Sequence, residues 1–464
     1  MQDTAVKKPG AVSIFFRALG SNIKEIGTTF VGGDWKTKVS YLVMGFGPLM
    51  RGQIVKGAAF LACEILFILY MTGFGAGYLA KFSTLGTVET KKVHRKTVYG
   101  DNSFLILLFG LLTIIIIAAI ILLWRMNVRE NLREELALKE GHKLESNRHF
   151  AASLFDRNFD KTLLALPMAG IFLFTVLPII FMICVAFTNY DSKHQAPTHL
   201  FTWVGLANFR ELLSFTSSGL GSTFIRVLGW TLIWAFFATF TTYFLGMGVA
   251  MLINRKGIKF KKMWRTILVM TIAVPQFVSL LYISKMFASD GIVNGYLLKW
   301  GVIHDAIPFW TNPTLAKVMI IVINIWIGIP YMMLIATGLL MNIPEDLYES
   351  ARIDGATPWQ MFWSITLPYM LFVTGPYLLT SFTGNINNFN VIYLLTQGGP
   401  KSTTLAGNAG HTDLLVTWLY RMTVNDTNYR MAAVLGIMVF IVVAGVSLIV
   451  YNMLPSVKDE EGFQ

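Results

Sequence analysis

An all-α polytopic membrane protein of about eight spanning helices is the fold class this chain predicts, and three observations carry that reading. Apolar residues make up 54% of its 464 residues and charged residues only 14%, a balance outside the range of soluble domains. Eight apolar segments approach or exceed the roughly 20 residues needed to cross a hydrocarbon core about 30 Å thick. Continuous runs such as Leu105 to Trp124 lack the alternation of a barrel strand, and in hydrocarbon only helices or closed barrels satisfy their own backbone.

The spans are placed at 57–80, 103–124, 163–187, 228–253, 266–288, 316–340, 368–394 and 431–453. The N-terminal segment, with Lys7, Lys8 and an amphipathic patch from Ile14 to Phe30, lacks the compact n-region, h-region and small-residue cleavage site of a signal peptide, so the first span is expected to be retained. After the second span, Arg125 to Lys161 contains Arg129-Glu130, Arg133-Glu134-Glu135 and Lys139-Glu140 and reads as a solvated helix. The connection 188–227 is too short for a large domain but admits a surface helix at Leu206 to Leu213. Residues 1–160 therefore read as an extension with two spans and a basic segment, 161–455 as a six-helix core containing a distinctive loop at 343–368, and 456–464 as a disordered tail.

A net charge of +12 does not point to nucleic acid, because the Lys and Arg residues sit in short loops beside apolar spans rather than in one basic domain. They report topology. With both termini cytoplasmic, 24 of the 38 Lys and Arg residues fall inside, as the positive-inside rule favours. Lys81, Lys91, Lys92, Arg95 and Lys96 oppose it from one outer loop. Cys63 and Cys184 lie within apolar spans and read as packing thiols, and Glu64 as an interface or packing residue.

No catalytic constellation is present. Gly398-Gly399-Pro400-Lys401-Ser402-Thr403 lacks the first glycine and the Gly-Lys pair of a phosphate loop, and the seven histidines form no metal motif. The chain is not expected to be an enzyme or to bind a cofactor or metal.

The loop between the sixth and seventh spans is unlike the other long cytoplasmic loops: Glu345, Asp346, Glu349 and Asp354 stand against one cation, Arg352. Pro344 suits a first helical turn and the acids that follow suit the positive end of a helix dipole. Gly355 supplies a break, and Thr357-Pro358-Trp359-Gln360 has the form of a capping box with Pro at the first helical position. A helix, a sharp turn and a second helix running into the seventh span follow. Charge alone fits a solvated connector. The fixed spacing of Glu349, Ser350, Ala351, Asp354 and Gly355, with Ile365, Leu367 and Pro368 beyond, carries a family resemblance, and it is that resemblance that implies a docking surface instead.

Two polar faces flank that loop. Asn324, Gly328 and Tyr331 recur at i, i+4 and i+7 in the sixth span, and Ser381, Asn385 and Asn388 repeat the spacing in the seventh. Amides in a bilayer are costly unless paired or facing a cavity. A small backbone site, an aromatic and several amides suit an uncharged polyhydroxylated ligand. Gln276 and Ser279, just after Pro275, offer a third wall. Interhelical hydrogen bonding is the plainer alternative, at about 0.6 to 2 kcal/mol each.

The spacing Glu349-Ser350-Ala351-x3-Gly355-x9-Ile365-x-Leu367-Pro368 resembles the ATPase-docking loop of ABC importer permeases, E-A-A-x3-G-x9-I-x-L-P, with serine in place of one alanine. Further stretches, Trp203 to Phe209, Asn387 to Pro400 and Gly410 to Val416, are similar to the larger membrane subunit of maltose/maltodextrin-type importers. The resemblance spans about 160–455, and the two additional N-terminal spans share it. It implies a permease that pairs with a second permease subunit, two ATPase subunits carrying ATP and Mg, and an extracytoplasmic sugar-binding protein that delivers an oligosaccharide. It also implies that Asn324, Gly328, Tyr331, Ser381, Asn385 and Asn388 line the sugar site, with Gln276 aligning less closely, and Gly384 standing where the family has an aromatic. The large domain some relatives carry between the third and fourth spans is missing, which implies a Gram-positive type of system with a tethered binding protein. The rival readings are a permease for another sugar, an ion-coupled secondary transporter, which would carry intramembrane acids and inverted repeats, and a scaffold without transport.

Overall fold

The computed structural model describes residues 24–93, 96–214, 219–255 and 257–453. The expected disordered tail at 456–464, the first part of the Ile14–Phe30 patch, and Arg95 lie outside the described residues. Among the described residues seven helices are long and apolar enough to cross a membrane, or eight if one bent pair counts as a single span. Two compact units are present: residues up to Cys184 with His194–Trp203, and Val185–Lys193 with Val204 onward. The division falls at the end of the third span, whereas the sequence reading placed its boundary at 160, before that span.

In the first unit, α1 (Ile54–Lys81) and α2 (Ser103–Lys139) are joined through a hairpin of β1 (Lys91–Val93) and β2 (Lys96–Val98), and α3 (Phe159–Val185) follows. The Asn102 side chain accepts from the Leu105 amide and starts α2. Lys81 Nζ meets Asp101 Oδ1 at 2.6 Å. That ammonium, with the Thr87 amide, holds the Asp101 carboxyl below its ordinary value. One of the cations that oppose the positive-inside rule is therefore neutralised by a partner.

The expected solvated helix beyond Arg125 is not what forms. The second span continues as α2 to Lys139, and Asn127, Asn131, Glu134 and Glu135 are buried on it. The cause is the segment before α1, which folds against this face. Arg51 pairs with Asp34 at 2.8 Å and Glu134 at 3.6 Å, and Lys56 with Glu130 at 2.6 Å. Thr37 donates to Glu135 at 2.9 Å, and Asn127 and Asn131 bond Ser40. Buried charges persist only when paired in this way, and the partners lie 74 to 101 residues away in sequence. Glu64, as a packing residue, accepts the Met44 amide at 2.7 Å. Cys63 and Cys184 are free thiols.

In the second unit, α4 (Leu220–Asn254) is followed by α5 (Lys261–Ala273) and α6 (Gln276–Met286), which meet at 89°. The expected continuous fifth span is thus broken. Pro275 has no N–H to continue the ladder and forces the residue before it out of helical geometry; Val274 is extended, with ψ of 123°. Then come α7 (Pro313–Leu340), α8 (Glu345–Ile353), α9 (Leu367–Ile386), α10 (Phe389–Thr396), α11 (Leu415–Val424) and α12 (Tyr429–Met453). The surface helix of the 188–227 connection is present at Ala207–Leu212.

Asn312 caps α7, and Pro313 stands at its first turn. α7 packs along α4 at small residues: a Cβ added to Gly246 would lie 2.6 Å from Met332, and one on Gly328 would lie 2.6 Å from Thr242. Close approach at small side chains is how helices associate in lipid, where apolar burial gives no advantage. Two buried clusters hold the unit. One gathers Trp230, Trp234, Leu280, Ile320, Val391 and Ile392; the other gathers Tyr243, Met247, Met332, Met333, Leu367 and Met370.

Candidate functional site

The polar loop forms the expected elbow. Glu345 and Asp346 occupy the first turn of α8 and Arg352 the last, in accord with the dipole; Pro344 is the cap residue rather than the first helical one. At the other end the Gly355 amide donates to the Arg352 carbonyl at 3.1 Å and the Ala356 amide to Ala351 at 2.9 Å, the paired bonds of a Schellman stop. Gly355 sits at φ +81° with nothing within 4 Å of its missing Cβ. Glycine is needed there for backbone conformation, not for space.

Two residues later the Thr357 hydroxyl accepts the Gln360 amide at 3.3 Å while Gln360 Oε1 accepts the Thr357 amide at 2.8 Å. This reciprocal box starts the short helix Pro358–Met361, which runs through a π-turn, Phe362–Thr366, into α9. Tyr348 and Thr366 share a hydroxyl hydrogen bond of 2.8 Å that ties α8 to this second arm.

No side chain of α8 is buried. Glu349, Ser350, Asp354 and Gly355 are exposed, Ala351 is half-buried, and Ile353 is 85% exposed with Leu347, Trp359 and Trp363 also open. An amphipathic helix with an open apolar face of this kind has the character of a recognition surface. Leu367 differs from the rest: it is buried in the Met332–Met370 cluster and anchors the elbow, while Pro368 is exposed.

The six residues of the two polar faces lie on α7, on α9 and at the junction with α10. Asn324 is half-buried, and its amide makes no side-chain hydrogen bond among the described residues. Tyr331 is exposed, and Gly328 presses on Thr242. Across on α9, Tyr377 lies one turn before Ser381 and packs against the cluster of Met332 and Met370. Asn385 donates to Thr239 of α4 at 2.9 Å, and Asn388 donates to Asn385 at 3.3 Å.

The expected i+7 step from Ser381 to Asn388 is not helical, because α9 ends at Ile386. Asn388 instead caps α10, accepting the Val391 amide at 3.2 Å; it stays with Asn385 through its own side chain. Gln276 is exposed and Ser279 half-buried on α6, whose packing partner is α10; neither bonds the six among the described residues. Gly384 is exposed with nothing within 4 Å of its missing Cβ.

Sequence reasoning missed Tyr377 and Thr239. Tyr377 lies four residues before Ser381 and continues its face, so a signal was present. Thr239 sits at the π-turn of α4, where helical spacing gives none. Together these side chains present amide and hydroxyl groups with no carboxylate or ammonium among them, which suits a neutral, hydroxyl-rich solute. Among the described residues no group of three or more His, Cys, Asp or Glu could hold a metal ion.

A helical bundle whose polar faces sit on two spans joined by an exposed elbow is of the class of multi-pass membrane proteins that offer a neutral, hydroxyl-rich solute a path. Comparison gives the family. Residues 242–458 match the binding-protein-dependent transport system inner membrane component. The maltodextrin transport system permease protein MalC of Streptococcus pneumoniae is 32% identical over 92% of this chain and 97% of its own. The galactooligosaccharides transport system permease protein GanP of Bacillus subtilis is 34% identical over 90% of this chain and 97% of its own. A solved bacterial ABC transporter involved in the import of alginate has a TM-score of 0.51 with 23% identity, covering 67% of this chain and 100% of that one, a likeness of fold alone. The chain belongs to the binding-protein-dependent permeases, the membrane-spanning subunits of ABC importers. It is a multi-pass transport subunit and not an enzyme.

Proposed function

We propose that this chain carries maltodextrin-type oligosaccharides through the membrane by alternating access, with both termini cytoplasmic and residues 161–455 as the transport core. Its partners are a second permease, two ATPases that hold ATP and Mg and grip the elbow from Glu349 to Pro368, and an extracytoplasmic binding protein that delivers the sugar. Asn324, Gly328, Tyr331, Ser381, Asn385 and Asn388 meet the sugar, joined by Tyr377; Gln276 and Ser279 border the path. Closure of the ATPases pushes α8, and the capped, glycine-stopped elbow transmits that push to α7 and α9.

The observation that supports this most is the join itself: a rigid elbow with an open apolar face connects the two helices that carry the amide faces. The open space at Gly384 favours a bulkier sugar than an aromatic there would admit. A second reading, import of galacto-oligosaccharides, has specific support in the equal likeness to the GanP permease.

The test is uptake of labelled maltotriose and labelled galactotriose by cells whose only importer contains this chain. Saturable maltotriose uptake with a KM raised by Asn324→Ala is the expected result. Preference for galactotriose establishes the second reading, and uptake of neither defeats both.

A further inference from the structure

We propose that the first unit holds an anionic phospholipid, its phosphate in a basic pocket at one end of α1 and α2 and an acyl chain in the groove between those two helices. The pocket has a volume of about 600 Å³ and is lined by five Lys and Arg side chains, among them Arg133, Arg157 and Lys161, against two carboxylates, Glu130 and Glu145. Both carboxylates are already engaged. Glu130 takes Lys56 at 2.6 Å and Glu145 takes Arg157 at 3.0 Å. Arg133 also lies 3.6 Å from Glu130 and Arg129 3.5 Å from Glu25, whereas Lys161 reaches the neutral amide oxygen of Asn158 at 3.1 Å and forms no ion pair among the described residues, so one ammonium of the pocket keeps its charge without an anionic partner.

The second observation is continuity with an apolar groove. Cys63 and Leu123 form the inner wall of the pocket and also line a groove of about 350 Å³ with Leu66, Phe67, Ile116 and Ala119. The one polar side chain at that groove, Tyr70, is turned to Thr113 at 2.8 Å. A basic chamber opening into an apolar channel along a membrane helix pair matches one chemistry, a phosphate ester on a hydrocarbon chain. A soluble phosphate would leave the groove unused, and a neutral lipid would leave the Lys161 ammonium without an anionic partner. Lys56 connects the chamber to the buried network of Arg51 and Glu134, so an occupied site braces the fold at the start of α1.

The test uses the assembled transporter in nanodiscs of equimolar phosphatidylglycerol and phosphatidylcholine, followed by native mass spectrometry of the lipids retained after mild detergent extraction. Phosphatidylglycerol should be enriched, and the enrichment should fall about fivefold for each cation removed in Arg133→Gln and Lys161→Gln. Ala119→Trp, which fills the groove from an exposed position, should also lower it. Glu145→Gln should raise it, and this variant keeps the test decisive if a cation variant assembles poorly. Equal retention of both lipids, or enrichment indifferent to the rim charges, overturns the proposal. So does displacement by soluble glycerol phosphate with no effect of Ala119→Trp, which would mark an anion site without a lipid.

Discussion

The elbow at 345–366 and the segment 410–421 are both short polar connections beside spans of the second unit, yet they end in opposite conditions. Asp413 is buried, and every demand its carboxylate makes is met within the chain: the Gly410 amide donates at 2.7 Å, the Thr417 hydroxyl at 2.8 Å, and Arg421 pairs at 3.3 Å. Burial pushes this carboxyl above its ordinary value while those three groups pull it back. The Trp418 indole donates to the Gly407 carbonyl at 2.8 Å. In the elbow the backbone is equally well capped, but no side chain of α8 is buried and Ile353 is almost fully open. One segment is finished by its own chain. The other is finished only in its backbone, and that difference separates a structural buckle from a docking part.

The comparison is broken most directly from the buckle. Asp413→Ala leaves the buried Gly410 amide without its acceptor and takes the carboxylate from Arg421 and Thr417, which keep only backbone carbonyls, a loss of about 3 to 5 kcal/mol; thermal unfolding of the purified transporter should show a collapse in stability and yield. Gly355→Leu should do the reverse, leaving assembly intact with only a modest fall in Tm while uptake and sugar-stimulated ATPase activity fall together by about tenfold or more, because a β-carbon strains φ +81° without meeting any neighbour. Next in size are the amides. Asn385→Ala removes the bond to Thr239 and should cost about 1 kcal/mol of stability as well as uptake, whereas Asn324→Ala should raise KM several-fold with Tm unchanged. If the two lower stability equally, the faces are helix glue. The smallest effect belongs to Tyr348→Phe, which loosens the two arms of the elbow by about 0.5 to 1.5 kcal/mol and should lower transport per ATP hydrolysed without reducing either assembly or ATPase rate.

How much of this was legible in the sequence follows from the range of each interaction. Local signals were readable: the Thr357–Gln360 box, the acids at the start of α8, the glycine stop and most spans arise from residues within a few positions of one another. Three readings needed more. The charged stretch after Arg125 looked solvated because Arg51, Lys56 and Thr37, which bury and pair it, lie far back in the chain. The fifth span looked continuous because hydropathy averages over Pro275, although the proline itself was in view. The step to Asn388 looked helical because nothing before Asn387 marks the end of α9. Within the polar faces, Tyr377 was available to the same periodic argument that found Ser381, and Thr239 was not, since its partner Asn385 comes from another helix. The exposed apolar side of α8 was likewise beyond sequence, which shows Leu347 and Ile353 as apolar but not that the chain leaves them uncovered.

The central claim is that the open face of α8 is covered by an ATPase partner and moves with it. It is tested most directly by Ile353→Cys in a chain also carrying Cys63→Ser and Cys184→Ser, with a cysteine scan of the partner ATPase surface and thiol cross-linking in membranes. The account predicts a cross-link from position 353 to the ATPase whose yield changes between nucleotide-free and ATP-bound conditions. A fully active transporter that gives no cross-link from position 353 to any ATPase position, with or without nucleotide, would contradict it.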